Sequence, residues 1–196
     1  DVWGWNFVAE DRNNNGKIDQ REKKGNNDPT PDAISVAPAD KERGALHHGT
    51  VVAGIIGGRG NNGRDGAGLN WQIRLMNLKI LGNSGEGAIA PLAQAIRYAV
   101  DNGADIINVS MVGDEDADLK LAVNYAYRKG VVLVAAAGNN FSNLNLGPAY
   151  PICIDANNQK ALVLGVSAIG RDHRLASFSN IGANCIDITA PGVGIN

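Results

Sequence analysis

The chain has 196 residues, with 18 Lys plus Arg against 20 Asp plus Glu, a formal net charge of −2 and 44% hydrophobic residues, enough apolar material for one sizeable core and a single domain. A near-neutral balance without a basic tract gives no electrostatic reason to expect nucleic acid or an anionic membrane as partner, and no stretch approaches the ~18 consecutive apolar residues of a membrane span. With no initiator Met and no basic-then-apolar leader, the chain reads as a soluble middle piece of a longer protein.

Glycine supplies 25 residues and asparagine 23, which predicts many tight turns and special backbone positions, and such loops often carry function. In chain order, Val2 to Val8 reads as a short strand, and Asn, Asp, Gly, Lys and Pro then dominate from Glu10 to Asp32 as a long loop. Within it, Asp11, Asn13, Asn15, Gly16, Lys17, Asp19 and Glu22 match a twelve-residue calcium loop: alternating side-chain oxygens, the Lys17 carbonyl and a bidentate Glu22 would surround the cation. The run Gly25-Asn26-Asn27-Asp28-Pro29-Thr30-Pro31 forbids a long flanking helix, so a solvated polar loop is the competing reading.

From residue 45 onward apolar runs alternate with helical patterns, which predicts an α/β fold with a parallel sheet. His48-Gly49-Thr50 opens a helix carrying Val52, Ala53, Ile55 and Ile56. The string Gly58-Arg59-Gly60-Asn61-Asn62-Gly63 spells a dinucleotide fingerprint, but it follows a helix instead of linking strand to helix and is discounted. Gln72 to Leu81 predicts a strand. Gly87 to Asn102 predicts a helix with Ile89, Leu92, Ala93, Ile96, Ala99 and Val100 on one stripe, capped by Gly103. Ala104 to Met111 is a further strand, and its Asn108-Val109-Ser110 glycosylation pattern is discounted as buried. Asp114 to Lys129 is a helix with Leu119, Ala122, Val123 and Ala126 inward, acidic at its start and basic at its end as the helix dipole prefers. The near-continuous apolar runs Val131 to Ala137 and Ala161 to Ile169 predict strands covered on two faces. Cys153 and Cys185 form one bridge across about 32 residues or remain two buried thiols.

Two residues hold addresses suited to chemistry. His48, at a helix start beside Gly49, is placed to project from the carboxyl edge of the sheet, and Asn139, at the end of the buried Ala135-Ala136-Ala137-Gly138 run, offers amide donors at the same edge for a developing oxyanion. Taken singly, a structural histidine and a turn asparagine are the plainer readings.

Three ordered strings join these pieces. His48-Gly49-Thr50-Val51-Val52-Ala53-Gly54, Ile106-Ile107-Asn108-Val109-Ser110-Met111-Val112-Gly113 and Ala135-Ala136-Ala137-Gly138-Asn139 resemble, in that order, the His box, substrate-binding strand and oxyanion segment of the subtilisin family of serine proteases. Asp1 to Phe7, Tyr150-Pro151, Ala176-Ser177-Phe178-Ser179-Asn180 and Ala190-Pro191-Gly192 also fall where that family has similar strings. The resemblance implies a three-layer architecture with helices on both faces of a mostly parallel sheet, and a polypeptide substrate cleaved through an acyl-enzyme. It assigns His48 as general base and Asn139 as oxyanion donor. It also makes Ser110, Met111, Val112 and Gly113 a strand pairing with the substrate, Ala135, Ala136, Ala137 and Gly138 the opposite wall of the primary pocket, and Ala149 a small residue at its floor.

Departures from the family pattern carry expectations of their own. His47 stands where the family usually has Gly, and Val51 where it often has a second His. Val112 replaces a Gly, which predicts a narrowed pocket and a preference for small side chains. The family order is Asp, His, Ser; neither an Asp ending an early buried strand nor a Gly-Thr-Ser turn occurs in residues 1–196, so the isolated polypeptide is expected not to hydrolyse peptides. Calcium is expected to be structural, since its candidate ligands lie far in sequence from the base and the oxyanion donor. The same features suggest an extracellular protein. Two other readings are a protease-like scaffold that only binds extended peptides and a calcium-dependent adhesion module.

Overall fold

The structure, a computed structural model, describes residues 3–7, 48–63, 66–82, 89–156 and 160–195. The backbone forms two compact units, Asp1–Pro91 and Leu92–Asn196. Among the described residues no helix is long and apolar enough to cross a membrane.

In the first unit, β1 (Trp3–Asn6) pairs in parallel with β2 (Met76–Lys79), Trp3 opposite Met76 and Asn6 opposite Lys79. The Phe7 N–H donates to the Lys79 carbonyl at 2.8 Å and carries the ladder one step further. Helix α1 (His48–Gly57) lies between them in sequence. Its last carbonyls are satisfied by the returning chain: Gly58 donates to Gly54, Leu69 to Ile55 and Asn70 to Ile56, at 2.8, 2.9 and 3.1 Å. Gly58 to Gly63 therefore ends a helix, in agreement with the rejection of a dinucleotide site. The expected strand Gln72 to Leu81 is shorter at its start. The Gln72 N–H turns back to Asn70 Oδ1 at 3.1 Å and the Trp71 indole donates to the Gly68 carbonyl at 2.8 Å, so local side-chain bonds replace ladder bonds until Met76.

The second unit contains α2 (Ile89–Asp101), β3 (Ile106–Val109), α3 (Ala117–Arg128), β4 (Val132–Ala136), β5 (Leu164–Ile169) and β6 (Ile188–Pro191). The strands form a parallel sheet in the order β3-β4-β5-β6. Leu92, Ala93, Ile96 and Ala99 of the predicted stripe are buried on α2, with Ala95 beside them. Gly103 at φ +79° ends the helix, a conformation glycine adopts without cost. Helix α3 begins later than Asp114 because Asp116 is its N-cap, accepting from the Leu119 N–H at 2.7 Å. Its inward residues Leu119, Ala122, Val123 and Ala126 are all buried, as their spacing predicts.

Strand alternation divides the sheet into two unlike faces. Val109, Leu133, Ala135, Gly165 and Ser167 are buried, whereas Ile106, Val132 and Ile188 are exposed and Val134, Ala136, Val166 and Ala190 are half-buried. The apolar runs predict cover on both faces; one face has it in these residues. A continuous apolar run records the cover a strand requires and is silent about which part of a chain supplies it. Asn108, expected to be buried, lies on the open face and is exposed. The run from Ala161 also enters the sheet late, because the Asp155 carboxylate takes the N–H groups of Leu162 and Val163 and holds them off the ladder.

Cys153 and Cys185 are bridged, closing 32 residues, and both are buried. Of the two open alternatives the bridge is the one formed, and it restricts the unfolded chain. Helices α2 and α3 are joined by a bidentate pair, Arg97 Nη2 to Asp118 Oδ1 at 2.6 Å and Nη1 to Oδ2 at 3.0 Å, and by the Tyr125 hydroxyl donating to Asp101 at 2.6 Å. The hydrogen bond from Arg97 holds the Asp118 carboxyl below the usual carboxylate range, aided by the positive charge and opposed by desolvation. A depressed folded-state value means that the stabilisation is present above the unfolded carboxylate pKa of about 3.9 and is lost as pH falls through the folded value. Asp118→Asn is therefore expected to leave stability unchanged at the acid end and to lower it slightly at neutral pH, flattening the acid limb by that same small amount because the pair is exposed; a variant whose stability matches the unsubstituted protein at every pH from 7 to 2 in urea titrations would contradict the assignment.

Candidate active site

The site is built at the carboxyl ends of β3 and β4. Past Val109 the chain leaves the sheet through Ser110, whose hydroxyl accepts from the Asn108 side-chain amide at 2.8 Å. Three residues on, Gly113 pairs antiparallel with Tyr150, donating to its carbonyl at 2.9 Å and accepting from its N–H at 3.0 Å. Gly113 is thus fixed against Tyr150, and Ala149 stands next to that anchor. Burial pushes the Tyr150 phenol up, with a smaller contribution from the Glu115 carboxylate, so it stays neutral in the physiological range.

The opposite wall continues β4. Ala137 donates to the Val166 carbonyl at 2.8 Å, Gly138 turns at φ +95°, and Asn139 emerges exposed. A Cβ on Gly138 would lie 2.7 Å from Asn180 Nδ2 and 3.4 Å from Val112 Cγ2. The first distance makes glycine obligatory; the second shows that the Val112 side chain stands directly against the facing wall.

A cavity of about 230 Å³ opens at this edge, lined among others by Asn108, Ser110, Ala136, Gly138, Asn139 and Gly192. It unites six of the expected site residues, since Ala135 and Ala137 also line it. Met111, Val112, Gly113 and Ala149 lie beside it without lining it. His48 is the first residue of α1, exposed, and belongs to the other compact unit. His47 and the calcium candidates Asp11, Asn13, Asn15, Lys17, Asp19 and Glu22 fall outside the described residues. Among the described residues there is no group of three or more His, Cys, Asp or Glu side chains suited to a metal.

Two residues at this edge had no assigned role in the sequence. Ser179, buried, accepts from the Ala168 N–H at 3.0 Å, which ties its hydroxyl to β5. Asn180, also buried, donates through Nδ2 to the Ala137 carbonyl at 2.8 Å and accepts through Oδ1 from the N–H groups of Asn140 and Ser142 at 3.0 and 2.9 Å. Their signal in the sequence was the string Ala176-Ser177-Phe178-Ser179-Asn180, which falls where the family has a similar one but has no periodicity from which to read a role.

Known proteins share this arrangement. The Subtilase family is matched over residues 7–195. The chain is 42% identical over 150 residues to the thermophilic serine proteinase of Bacillus sp. strain AK1, covering 76% of this chain and 35% of that protein. It is 37% identical to subtilisin DY of Bacillus licheniformis, covering 76% and 52%, and 36% identical to thermitase of Thermoactinomyces vulgaris, covering 74% and 49%. Among solved structures, the protease domain of PatA superposes with a TM-score of 0.63 at 33% identity over 75% of this chain and 52% of that one. A cold-adapted subtilisin-like serine proteinase does so with 0.61 at 26% identity over 72% and 47%. The chain thus spans between about a third and a half of the length of these relatives. Their sheet-and-helix architecture agrees with the α/β fold expected from the sequence, and the extent of the match leaves one conclusion: this chain belongs to the subtilase family of serine proteases.

Proposed function

We propose that the complete protein carrying this chain is a secreted serine endopeptidase, and that this segment supplies its general base, its oxyanion donor and two walls of its substrate cleft. The observation that carries the reading is the cavity at the carboxyl edge of the sheet, where Ser110, Ala135 to Gly138 and Asn139 come together. In this reading His48 takes the proton of a serine hydroxyl as it attacks the scissile carbonyl and returns it to the leaving amine. The Asn139 side-chain amide donates to the tetrahedral oxyanion, where a fixed dipole costs no reorganisation during the reaction. Ser110 to Gly113 offers an extended backbone edge for pairing with the peptide. Residues 1–196 contain no Gly-Thr-Ser turn. Absence of the nucleophile costs about 10⁶-fold in kcat, a magnitude established on subtilisin itself, so hydrolysis belongs to the complete protein and not to this segment.

The decisive measurement is amide hydrolysis by the complete protein. His48→Ala is expected to abolish turnover. Asn139→Ala is expected to lower kcat about 100- to 1000-fold with little change in KM, again the magnitude known for the subtilisin oxyanion donor. Peptide binding with no turnover in the unsubstituted protein would instead identify a scaffold that holds peptides without cutting them.

Specificity is proposed to follow from Val112. With its Cγ2 set against Gly138, the space between the walls accepts Ala or Ser more readily than Phe at the cleaved residue. Val112→Gly should raise kcat/KM for Phe relative to Ala by about tenfold, the lower end of what one methylene contributes in a hydrophobic pocket; equal cleavage after Phe and Ala by the unsubstituted protein would refute this.

Calcium is proposed as a structural ligand of Asp11, Asn13, Asn15, Lys17, Asp19 and Glu22, on the spacing of their oxygens alone. An ion that binds only the folded state stabilises it by about 2.7 kcal/mol at one hundred times Kd. Millimolar calcium should therefore raise the melting temperature, and Glu22→Gln should remove most of that increase. A melting temperature indifferent to calcium and chelator would rule against the ion, and calcium-dependent adhesion that survives His48→Ala would favour an adhesion module over a protease.

A further inference from the structure

We propose that Asn180 is a positioning residue for catalysis: its buried amide fixes the loop that aims Asn139. The inference rests on the protease reading above and adds a residue to it. Asn180 is 3% exposed. Its Nδ2 donates to the Ala137 carbonyl at 2.8 Å, its backbone N–H donates to the Gly138 carbonyl at 3.1 Å, and its Oδ1 accepts from Asn140 and Ser142 at 3.0 and 2.9 Å. These four bonds bracket Asn139, two before it and two after it. The exposed side chain of Asn139 is thus carried on a backbone held from both sides by one residue.

A carboxamide makes this set without any change of protonation. The loop presents a carbonyl at one point and two N–H groups at others, so the partner must donate at one end and accept at the other. The same complementarity fixes which end of the amide is oxygen, because the reversed orientation would set donor against donor and acceptor against acceptor. An aspartate would keep both acceptor bonds and turn the contact with Ala137 into a repulsion between oxygens. An alanine would orphan one carbonyl and two N–H groups.

Neighbouring features support a held loop. Gly138 lacks the Cβ that would lie 2.7 Å from Nδ2, so the amide can reach the backbone. Phe141 adopts φ +52°, unusual for a bulky residue, and its N–H donates to the Phe178 carbonyl at 2.9 Å. Such a conformation persists only where the surroundings over-determine it. Asn180 is itself referenced to the sheet, since the adjacent Ser179 hydroxyl accepts from Ala168 of β5 at 3.0 Å. Oxyanion stabilisation depends steeply on donor position, and a displacement of 1 Å can cost about 100-fold.

The test is a double-mutant cycle in the complete protein, using Asn180→Asp, Asn180→Ala and Asn139→Ala, with melting temperatures and backbone amide exchange measured alongside. Asn180→Asp is expected to lower kcat by about 10- to 100-fold with KM within about threefold of the unsubstituted value. In the Asn139→Ala background the same change should cost less than about threefold, because the donor it would misplace is already gone. Amide exchange at Asn140 and Ser142 should accelerate in Asn180→Ala and stay near its original rate in Asn180→Asp, which retains their acceptor and keeps the test open should the alanine variant fold poorly. An equal loss of kcat in both backgrounds, or a loss confined to KM, would overturn the positioning role. Hydrolysis insensitive to Asn139→Ala would defeat the oxyanion role of Asn139, and no hydrolysis by the unsubstituted protein would defeat the protease reading itself; both outcomes are visible before Asn180 is touched.

Discussion

Parallel pairing is the constraint on which the second unit depends. Because β3, β4, β5 and β6 all run the same way, with Val109 beside Ala135 and Ala168 beside Ala190, their carboxyl ends finish at one edge. Every loop that leaves that edge is delivered to the same place. Residues as distant in sequence as Ser110, Asn139, Ser179 and Gly192 therefore line one cavity. An antiparallel meander would have split them between two edges. Parallel pairing requires crossovers, and α3 is the helical one between β3 and β4, with a buried face that packs against β4.

At that edge the limiting requirement is close approach of backbone to backbone. Ala135, Ala136, Ala137 and Gly138 are small, and the wall they form can be crossed by another side chain only where a Cβ is missing. Gly138 meets two demands at one atom position, admitting the Asn180 amide on one side and facing Val112 on the other. Loop stability and pocket width are thereby linked: enlarging residue 138 would disturb the amide before it altered the pocket, whereas a change at Val112 is free to alter the pocket alone.

What could be read from the sequence was set by whether a signal is periodic or local. The stripe on α2 and the inward residues of α3 follow helical spacing, and the packing buries Leu92, Ile96, Leu119 and Val123 accordingly. The strand cores at β4 and β5 followed from their apolar runs, but the late starts of β2 and β5 did not, because N–H groups that donate to Asn70 and Asp155 side chains are taken from the ladder while hydrophobicity is unchanged. Asn139 and the walls were legible through ordered strings shared with a family. Asn180 lies in another such string, but its role did not show. Its partners lie about forty residues back in sequence, and a buried asparagine in a polar string looks like any turn residue until the chain is folded.

The chemical character of the residue holding the loop is itself constrained by what the loop is proposed to do. An oxyanion donor works because its dipole is fixed while negative charge develops nearby. A carboxylate in the position of Asn180 would set an oxygen against the Ala137 carbonyl oxygen and release the loop on that side. A lysine could not accept from Asn140 and Ser142, and its own charge would have to be desolvated. A neutral amide satisfies the backbone on both sides and leaves the field at Asn139 to Asn139. Neutrality, reach and the paired donor and acceptor thus converge on asparagine at a position where solubility and secondary-structure propensity would accept many residues. That convergence is what separates a residue shaped by the site from one that merely fills a turn.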